Sequence, residues 1–124
     1  MKHIMLVEDN EPFAGAFALL LEALPGLEIE VVSVGSLAEA RERLAEGGID
    51  AALVDLVLPD GEGTSLIREM SSAVPRVPSL GVTAWPMRED TLAEVSRAGA
   101  EGLVDKLGSM EVIAEAIERL LRDE

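Results

Sequence analysis

The chain has 124 residues, 48% of them apolar, and a formal net charge of -14 at pH 7. This length suits one domain with a single core, and the negative charge opposes direct binding to nucleic acid. The apolar runs fall well short of the roughly 20 residues that a membrane span needs, and the absence of cysteine excludes disulfides and thiolate sites. The chain enters its first apolar run directly after Met1-Lys2-His3, which leaves no space for a signal peptide, so none is expected. We therefore expect a single cytoplasmic domain, residues 1–124, that does not bind membranes.

Apolar runs typical of strands alternate along the chain with amphipathic segments typical of helices. The predicted strands cover residues 3–7, 28–34, 50–55, 77–83 and 103–104. The predicted helices cover residues 11–24, 37–46, 65–74 and 86–98, and a last helix follows residue 109. Strict alternation with short connections and right-handed crossovers predicts an α/β fold, in which helices cover both faces of a parallel sheet.

Local signals mark where these elements begin and end. Asn10, Ser36 and Ser109 are the predicted N-caps of the first, second and last helices. The segment 28–34 alternates in part between apolar and polar residues, which is typical of an edge strand. The segment 60–63 is predicted to be a flexible loop because it contains two glycines. The last helix is predicted to bury an apolar face made of Val112, Ile113, Ala116, Ile117, Leu120 and Leu121.

Reactive side chains stand at the ends of four apolar runs. Glu8 and Asp9 follow the first run, and Asp55 ends the third. Thr83 ends the fourth run, and Lys106 follows the fifth. Open α/β sheets place their sites beyond the carboxyl ends of their parallel strands, so we expect these side chains to lie together. The sequence therefore predicts a site that combines three acids, a hydroxyl and an ammonium.

These groups suit the transfer of a phosphoryl group. An aspartate such as Asp55 can attack phosphorus and hold the phosphoryl group as an acyl phosphate. The charge on the phosphoryl oxygens then requires a divalent cation and an ammonium nearby. Glu8 and Asp9 offer the hard oxygen ligands that Mg²⁺ prefers. Lys106 would neutralise the phosphoryl oxygens, and Thr83 would donate a hydrogen bond to them.

Four motifs occur in the order and near the spacing of a known family: Val7-Glu8-Asp9-Asn10, Leu53-Val54-Asp55-Leu56-Val57-Leu58-Pro59-Asp60-Gly61, Val82-Thr83-Ala84 and Lys106. Through them the whole chain resembles the receiver domain of bacterial two-component response regulators. The resemblance implies a flavodoxin-like, doubly wound sheet of five parallel strands in the order 2-1-3-4-5, with five helices. It also implies a signalling protein and not an enzyme, apart from slow self-dephosphorylation.

The resemblance assigns a role to each residue of the predicted site. Asp55 would accept the phosphoryl group from a sensor histidine kinase or a phosphotransfer protein. Mg²⁺ would be held by Glu8, Asp9, Asp55 and the backbone carbonyl of Val57. Thr83 matches the switch hydroxyl, and Lys106 matches the lysine that pairs with the phosphoryl group. Phosphorylation would change the surface of the fourth helix, fifth strand and fifth helix, toward an output domain or a homodimer.

Two positions differ from the family pattern. Leu103 stands where the family has its switch aromatic, three residues before the lysine, so Leu103 would act with Thr83 in the switch. Leu107 replaces the common proline, which leaves open whether the Lys106–Leu107 peptide is cis. The segments 58–61 and 106–109 are similar to those of receivers that precede helix-turn-helix output domains. The chain is therefore either a stand-alone receiver or a piece of a longer regulator.

Simpler interpretations exist for single residues. Glu8 and Asp9 could cap the first helix, Thr83 could be an ordinary strand residue, and Lys106 could be a solvated lysine. His3 stands alone and is predicted to be structural or exposed, and Asp60 with Gly61 to form a turn. Trp85 is expected beside the site, or as an anchor for a partner.

Three other functions differ in the residues or the chemistry that they require. A haloacid-dehalogenase-like phosphatase would need a second acid at Val57. A flavodoxin would need a glycine- and hydroxyl-rich phosphate loop where Glu8, Asp9 and Glu11 stand. The main alternative is a non-phosphorylated pseudo-receiver that acts only as a protein-interaction module.

Overall fold

A computed structural model describes residues 1–84 and 89–122. Its central strands are β1 (Lys2–Val7), β2 (Ile29–Val34), β3 (Ala51–Asp55), β6 (Ser79–Thr83) and β7 (Gly102–Asp105), and two short strands are β4 (Val57–Leu58) and β5 (Gly61–Glu62). The central strands form one parallel sheet in the order β2-β1-β3-β6-β7, while β4 and β5 pair antiparallel outside it. With this small hairpin left out, the order is the predicted 2-1-3-4-5, and the fold class is confirmed.

Five helices cover the two faces of the sheet: α1 (Glu11–Glu22), α2 (Leu37–Glu46), α3 (Gly63–Ser72), α4 (Glu89–Ala98) and α5 (Met110–Arg122). Successive side chains of a strand point to opposite faces. Ile4 and Leu6 of β1 therefore pack with α1 and α5, whereas Met5 and Val7 pack with α2, α3 and α4. Among the described residues, no helix has the length and apolar character to cross a membrane.

The predicted caps are confirmed. The side chains of Asn10, Ser36 and Ser109 each accept a hydrogen bond, at 3.1 Å, from a backbone N–H in the first turn of α1, α2 and α5. The first helix therefore has its cap in Asn10, and the interpretation of Glu8 and Asp9 as caps is not needed. The edge position of β2 is confirmed as well.

The prediction that segment 60–63 is a flexible loop is wrong. Gly61 and Glu62 pair with the strand before them, and the carboxylate of Asp60 accepts hydrogen bonds from the N–H groups of Leu37 (2.9 Å) and Ala38 (3.0 Å). The first N–H groups of a helix have no partner within the helix, so α2 needs such an acceptor. These two backbone hydrogen bonds hold the pKa of Asp60 below its usual range. The loop after β3 is thereby fastened to α2.

Several predicted boundaries also differ. The first helix ends at residue 22 instead of 24, and α3 covers residues 63–72 instead of 65–74. Val112 was predicted to be buried, but 65% of it is exposed, because Ile113, Ile117 and Leu120 are the α5 residues that face the sheet. The predicted helix start at residue 86 lies outside the described residues.

Candidate functional site

The strand registers bring the predicted site residues to one edge of the sheet. Val7 lies opposite Val54, so Glu8 follows β1 beside the end of β3, where Asp55 stands. Asp55 in turn lies opposite Val82, one residue before Thr83. Lys106 follows the end of β7, and its backbone N–H donates to the carbonyl of Thr83 at 2.9 Å. The predicted site is therefore assembled from the ends of four neighbouring strands.

Lys106 bridges two of the acids. Its ammonium donates to Oε1 of Glu8 and, at 2.9 Å, to Oδ2 of Asp55. Its side chain is only 18% exposed. The interpretation of Lys106 as a solvated lysine is therefore wrong, because both carboxylates withdraw the ammonium from water.

Burial and hydrogen bonding separate the pKa values of the two carboxyl groups. Burial, together with the neighbouring carboxylate of Asp55, raises the pKa of Glu8 to about 7. Burial also acts to raise the pKa of Asp55, but its interaction with Glu8 and the hydrogen bonds from Lys106 and the N–H of Val57 outweigh this effect, so the pKa of Asp55 lies below its usual range. Near pH 7 Glu8 is therefore partly protonated, whereas Asp55 is ionised.

The same hydrogen bonds keep Lys106 charged. Burial acts to lower the pKa of Lys106, but its hydrogen bonds to Glu8 and Asp55 outweigh this effect and raise the pKa above its usual value. The site thus contains a permanent ammonium beside the carboxylate of Asp55.

Three acids could hold a metal ion. Glu8, Asp9 and Asp55 each offer one carboxylate oxygen, and these three oxygens lie within 4.8 Å of one another. Oε2 of Glu8 is buried and has no hydrogen-bond partner among the described residues, while Asp9 is exposed. A divalent cation with oxygen ligands would satisfy this buried oxygen. The donor set therefore fits Mg²⁺, although the part assigned to the Val57 carbonyl stays a prediction.

Two backbone features that the sequence analysis missed fix the position of Asp55. The N–H of Val57 donates to Oδ1 of Asp55 at 3.1 Å and holds the carboxylate against its own loop. Gly63 begins α3 so close to β3 that a Cβ there would lie 2.1 Å from the carbonyl oxygen of Asp55. A glycine is typical of positions where two backbones approach closely, so Gly63 itself is the signal in the sequence.

The predicted switch residues lie beside the site, but their role stays a prediction. Thr83 is buried at the end of β6. Leu103 is half-buried and packs with Leu56 and Val95 around Gly81, where an added Cβ would meet all three side chains at 3.1–3.3 Å.

The remaining sequence predictions have separate outcomes. The Lys106–Leu107 peptide is trans, and the cis peptide of the described chain is Val74–Pro75. His3 lies in β1, where its backbone N–H donates to Oδ2 of Asp50 at 2.7 Å, in keeping with a structural position. Trp85 lies outside the described residues.

The sequence of the chain matches a known protein family. The family model of the response regulator receiver domain matches residues 4–118. This chain belongs to the response regulator receiver domain family. The receiver is 35% identical over 106 residues to the DNA-binding transcriptional activator DevR/DosR of Mycobacterium tuberculosis, covering 86% of this chain and 48% of that protein. It is 31% identical over 117 residues to the response regulator PilR of Pseudomonas aeruginosa, covering 94% of this chain and 26% of that protein.

Solved structures share the fold of the receiver. A response regulator from Chloroflexus aurantiacus superposes with a TM-score of 0.87 at 22% identity, covering 98% of each chain. The receiver domain of a sensor histidine kinase from Pseudomonas aeruginosa, which has a magnesium ion coordinated in its active site cleft, superposes with a TM-score of 0.82 at 25% identity, also covering 98% of each chain. The receiver spans less than half of the length of these two curated relatives, so their complete activities are not carried over to it.

Proposed function

We propose that this receiver accepts a phosphoryl group on Asp55, in an Mg²⁺-dependent reaction, from a phosphohistidine of a sensor kinase or a phosphotransfer protein. The observation that carries the proposal is the ammonium of Lys106, held 2.9 Å from Oδ2 of Asp55 at the edge where the acids meet. The cytoplasmic location predicted from the sequence is part of this proposal. The alternative of a pseudo-receiver gains no support from the described residues, because nucleophile, acids and ammonium occur in one site.

The chemistry follows from the state of each group. A charged oxygen of Asp55 attacks phosphorus, an O–P bond forms as the N–P bond breaks, and the imidazole of the donor leaves. Mg²⁺, held by Glu8, Asp9, Asp55 and the carbonyl of Val57, would neutralise charge on the phosphoryl oxygens. Lys106 would pair with one of these oxygens, and Thr83 would donate a hydrogen bond to another. Slow hydrolysis of the acyl phosphate would restore Asp55.

An apolar groove beside the site supports the approach of a protein donor. A groove of about 250 Å³ is lined by Phe13, Phe17, Leu20, Leu107 and Met110, together with Lys106. Leu107 is 82% exposed and Leu20 is 51% exposed. Exposed apolar side chains around a reactive group are typical of a surface that a partner protein covers. A donor bound there would stand next to the ammonium that pairs with Asp55.

We expect one phosphate to be added to the wild-type chain by a small phosphodonor such as acetyl phosphate with Mg²⁺. Intact mass spectrometry should show the added mass, and the Asp55→Asn variant should not gain it. Asp50→Asn is the matched control because Asp50 lies at the opposite end of β3 and should leave the added mass unchanged. An unchanged wild-type mass, or equal labelling of Asp55→Asn, would contradict the proposal.

We expect activation to cause only weak self-association through α4, β7 and α5. Phosphorylation would draw Thr83 toward the site, and Leu103 would move into the space it leaves. Because Leu103 lacks a ring and a hydroxyl, its two positions differ little in energy, and the shift in population is small. Sedimentation with and without beryllofluoride should show a small change in the wild type and a larger one in Leu103→Tyr. Tight dimers without beryllofluoride would contradict this mechanism.

A further inference from the structure

Three groups surround the ammonium of Lys106: the carboxylates of Glu8 and Asp55 and the ring of Phe13. Nζ of Lys106 lies over the face of the Phe13 ring, 5.1 Å from its centre. The face of an aromatic ring carries negative charge density, and it attracts an ammonium within about 6 Å of the centroid. Lys106 therefore has an uncharged partner in addition to the two acids.

The structure holds the Phe13 ring in place. The backbone N–H of Phe13 donates to the cap Asn10, which fixes the first turn of α1. Its ring stacks on that of Phe17 with 5.2 Å between centroids and 21° between planes. Phe17 is only 3% exposed and belongs to the core beneath α1. A ring anchored at its backbone and on a core residue is a fixed platform for a flexible lysine.

The two acids change their partners during the proposed reaction, whereas the ring does not. Glu8 and Asp55 belong to the acid cluster that could bind a divalent cation, and Asp55 also becomes the acyl phosphate. A cation at this cluster would compete with the ammonium for the negative charge of both acids, and phosphorylation would convert one carboxylate oxygen of Asp55 into part of the acyl phosphate. The Phe13 ring keeps its charge distribution in every state.

We propose that Phe13 is a positioning residue for Lys106, whose ring face keeps the ammonium in the site while the two carboxylates change partners. This inference rests on the proposed function of Asp55. It assigns Phe13 a role beyond filling the core between α1 and the sheet. Leucine could fill the core, but it has no ring face to hold the ammonium.

The first test measures where the ammonium lies. The chain has two lysines, Lys2 and Lys106, so labelling lysine with ¹³C at Cε gives two methylene signals. The ring current of Phe13 should shift the Lys106 signal upfield, and the shift should persist with Mg²⁺ and beryllofluoride. In Phe13→Leu the shift should disappear while the Lys2 signal stays in place. A Lys106 signal that is the same in wild type and Phe13→Leu would overturn the inference, whether or not Asp55 is phosphorylated.

The second test separates the charge of the ring from its packing. The chain has two phenylalanines, so mono-, tri- and pentafluorophenylalanine can be placed at residue 13, or at residue 17 as the matched control. Fluorine withdraws charge from the ring face and changes its shape little. The rate of phosphorylation by acetyl phosphate should fall stepwise at residue 13, by about twofold to tenfold in total, and stay constant at residue 17. The mono- and trifluoro variants keep the series informative if the pentafluoro variant does not fold.

The outcomes distinguish this inference from the proposed function. If the unmodified chain gains no phosphate, the proposed function is contradicted. The lysine signals then still test whether the Phe13 ring lies beside the ammonium of Lys106. A chain that is phosphorylated at rates independent of fluorination at residue 13, or equally sensitive at residue 17, overturns the inference and leaves the proposed function standing.

Discussion

Gly63→Ala is expected to destabilise the protein by about 3 kcal/mol, at the upper end of the usual cost of overpacking. The added Cβ would lie 2.1 Å from the carbonyl oxygen of Asp55 and 2.9 Å from Cγ1 of Val54. The first contact is with backbone, so no flexible side chain can yield. Either α3 or the end of β3 must move, and Asp55 moves with the strand.

The matched control is Gly15→Ala in α1. Gly15 is exposed in the middle of the helix, and a Cβ there would have no neighbour within 4 Å. Because glycine weakens a helix interior, this change should stabilise the protein by about 0.5–1 kcal/mol. Urea unfolding followed by circular dichroism measures both variants. Equal stability of Gly63→Ala and wild type would show that α3 does not approach β3 as closely as described.

The second large effect is a dependence of Mg²⁺ affinity on pH that Glu8 controls. The pKa of Glu8 is about 7 because the side chain is buried beside the carboxylate of Asp55. A metal binds the deprotonated carboxylate, so binding below this pKa must displace the proton. The apparent affinity should therefore rise about tenfold per pH unit up to pH 7 and level off above it. Isothermal titration in buffers of different ionisation enthalpy should show about one proton released per Mg²⁺ at pH 6.

Two variants isolate the contribution of Glu8. Glu8→Gln removes the titrating group and should flatten the pH dependence while weakening Mg²⁺ binding. Asp9→Asn should also weaken binding, but it should keep the pH dependence because Glu8 is unchanged. Wild-type binding at pH 6 without proton release would contradict the raised pKa of Glu8.

The same pKa affects stability in the absence of metal. The pKa of Glu8 is raised from 4.5 to about 7 by folding, so the folded state binds the proton more tightly than the unfolded state. The resulting stabilisation is complete below pH 4.5 and is lost as the pH rises through 7. The contribution of Glu8 to the free energy of unfolding should therefore decrease as the pH rises from 4.5 to about 7.

The sequence alone determined the fold class and the residues that meet at the sheet edge, whereas the strand order came from its resemblance to receiver domains. These features depend on patterns within short segments, such as the apolar run that ends at Asp55 and the cap at Asn10. The alternation of strands and helices then leaves few topologies, and each topology with parallel strands brings the carboxyl ends to one edge. Glu8, Asp55, Thr83 and Lys106 could be placed together for this reason.

Only the tertiary structure decided how these residues contact one another. Lys106 and Glu8 are 98 positions apart, and their contact depends on side-chain geometry that no local pattern encodes. The sequence around Asp60 does not show that this residue is fixed. Its partners, two backbone N–H groups at the start of α2, lie 22 and 23 positions earlier in the chain. The roles of Gly63 and Phe13 likewise depend on distances between elements. Packing sets these distances after the elements have formed, because the close approach of two backbones or of a ring and an ammonium depends on how whole helices settle on the sheet.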